Sequence, residues 1–226
     1  YRDTVPAGVG VVASVNDSYA LTLENLLADG HYTGLHYVYR RLQLYQARKY
    51  EATHYALFDN VHVMTEVDAS YLRRLNPGIR TSAISNGVNP KLFDVAAQTL
   101  DQNDVIFVAT LAGENLRALQ DFLCRSWPTV IEKSPDARLY IVGKLGQAAL
   151  DLKNRFQHTK GVTFVGYVER LEEIYARCGI AIVPINKNCG IINKAIEAMG
   201  AGLAVVGFER TFAGLQGQKV PGTTLS

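Results

Sequence analysis

"GIAIVPINKNCGIINKAIEAMGAGLAVVGF", residues 179–208, decides the fold. It opens on a β-branched apolar run, passes through a turn carrying Cys189 and Gly190, and closes on a second apolar run at 202–208. Neither run alternates apolar with polar residues, which is the pattern of parallel strands covered on both faces. Between them Ile192, Ala195, Ile196 and Met199 recur at helical spacing, so this stretch predicts an amphipathic helix. Strand, helix and strand in that order make a βαβ unit with a right-handed crossover.

The same alternation extends upstream. "DVIFVAT" (104–110), "ARLYIVG" (137–143) and "GVTFVGYV" (161–168) are further continuous apolar runs. "ENLRALQDFLCRSWPTVIEKS" (114–134) places Leu116, Leu119, Leu123, Trp127, Val130 and Ile131 on one helical face, with a kink or break expected at Pro128. "RLEEIYARC" (170–178) offers Leu171, Ile174 and Tyr175. Repeated strand–helix alternation means a doubly wound α/β domain. The first half is thinner: "VGVVASV" (9–15), "NVHVMT" (60–65) and "RTSAIS" (80–85) predict three strands, with helices over 35–58 and 68–75. "NGVNPKLF" (86–93) reads as the connection between halves, giving two domains, 1–97 and 98–226.

Composition bounds the function. Hydrophobic residues make up 48% and charged residues 19% of 226, an ordinary globular balance. A formal charge of +2 with no dense Lys/Arg block argues against nucleic acid as a partner. Three cysteines without metal-ligand spacing suit reduced thiols in a cytoplasmic protein. His31, His36, His54 and His62 form no metal set by spacing, and none is expected. The chain opens at Tyr1 and stops at "GTTLS", where another strand starts, so a piece of a longer protein is expected.

In open α/β sheets ligands bind beyond the carboxyl ends of the strands, where the strand order reverses. With a 3-2-1-4-5 order, the loops at that reversal are "TLAGEN" (110–115) and "PINKNCG" (184–190). A helix starting near Gly190 would aim backbone N–H groups into the crevice and attract an anion. A lysine in its first turn, Lys194, is mildly unfavourable there unless something negative binds. Lys194 and Glu197 project from the side opposite the apolar face. Lys194 could then meet a phosphate while Glu197 accepts from a hydroxyl pair such as a ribose diol. The plainer alternative is a solvated Lys–Glu pair worth about a few tenths of a kcal/mol.

Taken in order, these stretches resemble family 4 glycosyltransferases, which have the GT-B architecture of two facing Rossmann-like domains with parallel sheets. "GIINKAIEAMGAGLAVVGF" with "AGL" at 213–215 resembles the donor-binding signature, and "SNGVNPKLF" the interdomain motif. "SPDARLYIVGK" and "GVTFVGYVERLEEIYARCGIAIVP" follow the usual succession of the C-terminal domain. The segment 114–139 is similar to a bacterial branch that builds surface or exported polysaccharides. The likeness covers residues 85–220 well and the first half loosely, so the N-terminal domain is expected to be incomplete.

The resemblance implies transfer of a sugar from a nucleotide-diphosphate donor to a hydroxyl acceptor with retention, without a cofactor or essential metal. The acceptor would be a saccharide or a lipid-linked one, and the protein would be cytoplasmic, at the inner face of the membrane. Glu197 would hold the ribose, and the backbone at Gly190, Ile191 and Ile192 would meet the distal phosphate or sugar. Tyr167 and Val168 would flank the base. Departures are plain: Cys189 stands where many members have a sugar-contacting Glu, and Thr110 and Asn115 stand near positions usually held by Arg and Lys. Lys194 is then the nearest substitute cation. Asn16 and Asp17 occupy the place of a His-Asp pair facing the donor sugar; Asp17 would contact a sugar hydroxyl or, in the preferred reading, cap the following helix. The departures also fit a catalytically degenerate GT-B protein that binds nucleotide or serves as a partner subunit, and a nucleotide-sugar epimerase is a third alternative.

The tyrosine-rich helix over 35–58 has two readings. Its tyrosines with Arg40, Arg41, Arg48 and Lys49 suit peripheral contact with an anionic membrane. Leu35, Val38 and Leu42 suit packing on a sheet, and packing is the preferred expectation.

Overall fold

The structure, a computed structural model, describes residues 4–6, 8–30, 32–95, 104–185 and 192–215, without the side chains of 213 and 214. The chain forms two units, the first built chiefly from residues up to Asn86 and the second beginning at Gly87. The expected domain boundary, at residues 97 and 98, lies outside the described residues.

In the first unit, strand β1 (Val12–Ser14) leads to helices α1 (Tyr19–Ala28) and α2 (Gly34–His54). Strand β2 (Asn60–Val63), helix α3 (Glu66–Leu75) and strand β3 (Thr81–Ala83) follow. The three strands are parallel in the order β1-β2-β3. Val61 and Val63 of β2 are fully buried against Ala69 and Leu72 of α3.

Helix α2 corrects the packing expectation. Its buried residues are Leu44, Ala47 and Glu51, which face α1 and α3 through Ala20, Leu23 and Tyr71. Leu35, Val38 and Leu42 remain 88%, 63% and 53% exposed. At 100° per residue, Leu42 and Leu44 point to opposite sides of the helix, so burying one stripe turns the other outward.

The second unit holds strands β4 (Val105–Val108), β5 (Leu139–Val142), β6 (Val162–Gly166), β7 (Ile180–Val183) and β8 (Ala204–Gly207). All pairs are parallel and the order is β6-β5-β4-β7-β8, the 3-2-1-4-5 arrangement expected. Between them run α4 (Gly113–Arg125), α5 (Trp127–Lys133), α6 (Gln147–Phe156), α7 (Leu171–Tyr175) and α8 (Asn193–Gly200). The predicted break falls where α5 begins, with Pro128 in its first turn.

Successive strand residues alternate between two apolar clusters. Val105, Phe107, Leu139, Ile141 and Ile182 join Leu119, Leu123, Trp127, Leu152 and Phe156 from α4, α5 and α6. Ile106, Val142, Ala181, Val183 and Val205 join Tyr175, Ala195 and Ala198 from α7 and α8, together with Leu92 and Val95. With both faces covered, the strands have no solvent face, which is why their sequences are continuously apolar. At about 25 cal/mol per Å² of apolar surface, this two-sided burial is the main stabilising term.

Gly143, just past β5, adopts φ +151°, and a Cβ there would lie 1.8 Å from the Ala109 carbonyl oxygen. Only glycine permits that approach. It lets the chain ends of β4 and β5 converge, and Leu111 and Leu145 pair beyond them in an isolated parallel bridge.

Candidate functional site

Strand order reverses between β4 and β7: β5 and β6 lie to one side of β4, β7 and β8 to the other. The carboxyl ends of β4 and β7 therefore flank the crevice that such sheets use for ligands. The segment leaving β4 runs through Thr110 to Gly113, where φ is +53° and α4 begins. Thr110 is exposed and Asn115 half-buried in the first turn of α4.

Helix α8 begins at Asn193, three residues after the start expected near Gly190. Ile192 precedes it, buried in the sheet-side cluster, and supplies no side-chain cap, since an isoleucine has no acceptor. No acidic residue occupies the first turn. Gly190, Ile191 and Cys189 lie outside the described residues.

Lys194 sits in that first turn, as the spacing predicts. Its Nζ donates to Asn115 Oδ1 at 2.8 Å, and Asn115 Nδ2 donates to the Thr110 carbonyl at 3.1 Å. The ammonium also lies 6.0 Å from the centre of the buried Phe107 ring, within cation–π range. Three residues picked out separately in the sequence thus form one chain of contacts from the end of β4 to the start of α8. It stands at the point of strand reversal, and it fixes a positive charge there.

Glu197, one turn further along α8, is half-buried. Burial pushes its carboxyl above the ordinary range, and Lys194 pulls it part of the way back. Tyr175, fully buried, lies in the apolar cluster that also holds Ile192, with no hydrogen-bond partner for its hydroxyl among the described residues. Burial first, and the Glu197 charge second, raise the Tyr175 pKa, so the phenol stays neutral.

Tyr167 and Val168 follow β6, two strands from β4. Tyr167 is exposed at 74%, while Val168 packs against the α7–α8 cluster. Lys144, which the sequence reading did not single out, is exposed two residues past β5, beside the bridge that pairs Leu111 with Leu145. Its signal was its place immediately after an apolar run ending in glycine.

In the first unit Asp17 lies just past β1, at the surface. It does not cap α1. Ser18 is the N-cap, its hydroxyl accepting from the Leu21 amide. Ser18 is chosen because its hydroxyl also donates to Glu51 Oε2 at 2.7 Å and its amide to Asp68 Oδ1 at 2.9 Å. Desolvation and the charge of Asp68 raise the Asp17 pKa. Among the described residues no cluster of His, Cys, Asp or Glu could hold a metal, and no helix is long and apolar enough to cross a membrane.

Among curated proteins none matches the chain by sequence. In structure it is similar to Anabaena HepE, solved with UDP and glucose, at TM-score 0.56 and 15% identity over 88% of this chain and 53% of that one. It is also similar to the pneumococcal O-GlcNAc transferase GtfA, solved with UDP and GlcNAc, at TM-score 0.55 and 17% identity, covering 73% and 33% of the two chains. Trehalose-6-phosphate synthase gives TM-score 0.56 at 11% identity, covering 89% and 60%. The chain spans about half the length of HepE, and at these identities the likeness establishes the GT-B fold. The model of the glycosyl transferases group 1 family matches residues 102–221, more than half of the chain and all of the strands and helices just described in the second unit, and the chain belongs to that family.

Proposed function

We propose that the chain carries the donor site of a glycosyltransferase that moves a sugar from a nucleotide diphosphate to a hydroxyl acceptor, with retention. The resemblance of segment 114–139 to a bacterial polysaccharide-building branch supports a role in polysaccharide or glycoconjugate synthesis. The observation that carries the reading is the contact chain Thr110–Asn115–Lys194 at the strand reversal.

The bond from the anomeric carbon to the diphosphate breaks with both electrons going to the phosphate oxygen. Stabilising that developing charge is the main task of the site. Lys194 and the N-terminal end of α8 would do it, with Lys144, just past β5, as a further cation. Glu197 would accept from the ribose diol; a hydrogen bond to a charged carboxylate contributes about 1.5–3 kcal/mol. Tyr167, with its ring exposed beyond β6, would flank the base. HepE was solved with UDP and glucose, which supports a nucleotide-sugar donor here. Asp17 is proposed to meet a sugar hydroxyl, being the carboxylate just past β1.

Titration of the full-length protein with UDP-, GDP- and ADP-sugars tests the reading. Binding of one donor, lost in Glu197→Ala, is expected; no binding by any donor and no change in Glu197→Ala would refute it. A second reading, a nucleotide-binding partner subunit without transfer, is favoured by Thr110 and Asn115 standing where cations would neutralise a diphosphate. Nucleotide binding without sugar release across a broad acceptor screen would select it.

A further inference from the structure

Two buried carboxylates from different helices converge on the turn that follows β1. Glu51 of α2 and Asp68 of α3 are 2% and 5% exposed. The Ser18 hydroxyl donates to Glu51 Oε2 at 2.7 Å, and the Ala20 amide donates to Glu51 Oε1 at 3.2 Å. The Ser18 amide donates to Asp68 Oδ1 at 2.9 Å. Two residues earlier, the Asn16 carbonyl accepts from the Met64 amide at 3.0 Å. The two peptide groups that join Asp17 to its neighbours are therefore both tied, one just past β2 and the other to the first turn of α3.

Helix capping asks for less than this. Ser18 caps α1 by accepting from the Leu21 amide, and Thr65 caps α3 by accepting from the Asp68 amide at 3.1 Å. In a capping box the third helical residue reaches back to the backbone amide of its own cap. Asp68 holds that position in α3, yet its Oδ1 takes the Ser18 amide of another helix, while Oδ2 accepts from the Thr65 hydroxyl. No lysine or arginine is paired with Glu51 or Asp68 among the described residues. Burying a carboxylate without a counter-cation is costly. A serine and a threonine alone would cap both helices; what the carboxylates add is a fixed backbone at Asp17.

Asp17 itself reaches the surface just past β1. The protein beneath it desolvates its carboxyl, and that effect, with the charge of Asp68 second, raises its pKa. The Glu51 charge does not contribute. Glu51 can therefore act on Asp17 only through the backbone it holds, whereas Asp68 acts through backbone and charge together. Tyr55, which also faces Glu51, is pushed up to about 12 by burial first and stays neutral.

We infer that Asp68 and Glu51 are positioning residues for Asp17: together they clamp the turn after β1, so that the Asp17 carboxyl is presented at one place beyond the end of that strand. Its use in transfer rests on the proposed contact between Asp17 and a sugar hydroxyl; the clamp itself is a property of the first unit.

Carbon-13 NMR titration of the Asp17 carboxyl in the full chain tests the clamp, with the resonance assigned through Asp17→Asn. Asp68→Asn removes the charge but keeps an acceptor for the Ser18 amide, so the Asp17 pKa is expected to fall part of the way to the ordinary aspartate value. Asp68→Ala releases the turn as well, and the pKa should fall the rest of the way. Glu51→Ala should lower it too, although no charge acting on Asp17 is lost, and Glu51→Gln, which keeps an acceptor, should restore it. Dispersed Val61 and Val63 methyl signals identify the variants that fold; if Glu51→Ala does not, the two Asp68 variants decide. Equal Asp17 pKa values in Asp68→Asn and Asp68→Ala, or an unmoved value in folded Glu51→Ala, overturn the inference. Turnover of UDP-glucose by the full-length protein separates the two ideas: turnover unchanged in Asp17→Ala refutes the sugar contact, while the titration still decides the clamp.

Discussion

Lys194 on α8 and Asn115 on α4, 79 positions apart in the chain, meet at 2.8 Å across the point where the strand order reverses. The contact explains how a lysine is tolerated in the first turn of a helix, where the backbone dipole opposes it. An amide oxygen and the face of Phe107 offset part of the unfavourable charge, and they hold the ammonium beside the strand reversal.

Lys194→Met is expected to weaken binding of the preferred nucleoside diphosphate by tenfold or more, since a hydrogen bond to a charged group contributes about 1.5–3 kcal/mol. Asn115→Ala should weaken it less, because Asn115 acts by holding Lys194. Calorimetric titration with UDP, GDP and ADP checks both. Wild-type affinity in both variants would show that the lysine serves only the apo fold.

Glu197 predicts a pH dependence of stability. Its folded pKa is raised above the ordinary 4.5 by burial, against a partial pull from Lys194. As pH rises from 4.5 through the raised value, the unfolded chain ionises first, so stability is lost across that window. Glu197→Gln removes this loss. The variant is expected to unfold at higher urea than wild type at pH 7, with the gap closing as pH falls to 4.5. A gap of constant size would contradict the burial argument.

The second unit was legible because Ile106 and Phe107, or Ile141 and Val142, feed clusters on opposite faces, and a sheet buried twice writes itself as unbroken apolar runs. Helix α6 carries a comparable signal in Ala149, Leu152 and Phe156, but its polar residues blunt the pattern. Lys194 and Glu197 were visible through spacing alone. The partner of Lys194 was not, because it lies 79 positions away along the chain. Ser18 and Asp17 are both competent caps, and the choice between them rests on Glu51 and Asp68, residues far along the chain. Helix α2 was ambiguous for a different reason. Two apolar stripes share one period, and only the packed structure shows which is buried.

Gly143→Ala should destabilise the second unit by more than about 2 kcal/mol, since the added methyl would overlap the Ala109 carbonyl at a φ that L-residues rarely adopt. Urea unfolding measures it. Because β4 and β5 converge there, nucleotide affinity should fall as well. Alanine accommodated without loss would mean that the two strand ends can separate freely.

Tyr175→Phe is expected to keep or raise stability. Among the described residues the hydroxyl has no partner, a buried state that costs roughly 1–3 kcal/mol, and phenylalanine fills the same space without it. A marked loss on thermal unfolding would reveal a partner for the hydroxyl in the folded protein.

The exposed stripe of α2 makes the last prediction. If Leu35, Val38 and Leu42 pack on nothing within the unit, replacing them with charge removes no contact and relieves apolar exposure. Val38→Glu with Leu42→Lys also adds an i,i+4 pair of favourable orientation, worth about 0.2–0.5 kcal/mol. Stability of the chain should therefore change by no more than about 0.5 kcal/mol, while self-association, read by light scattering, should fall. Leu44→Glu on the opposite side is the control: it buries a charge against Leu23 and should unfold the unit. If the double variant proves as damaging as the control, the stripe is covered in the folded protein and the assignment of faces on α2 must be reversed.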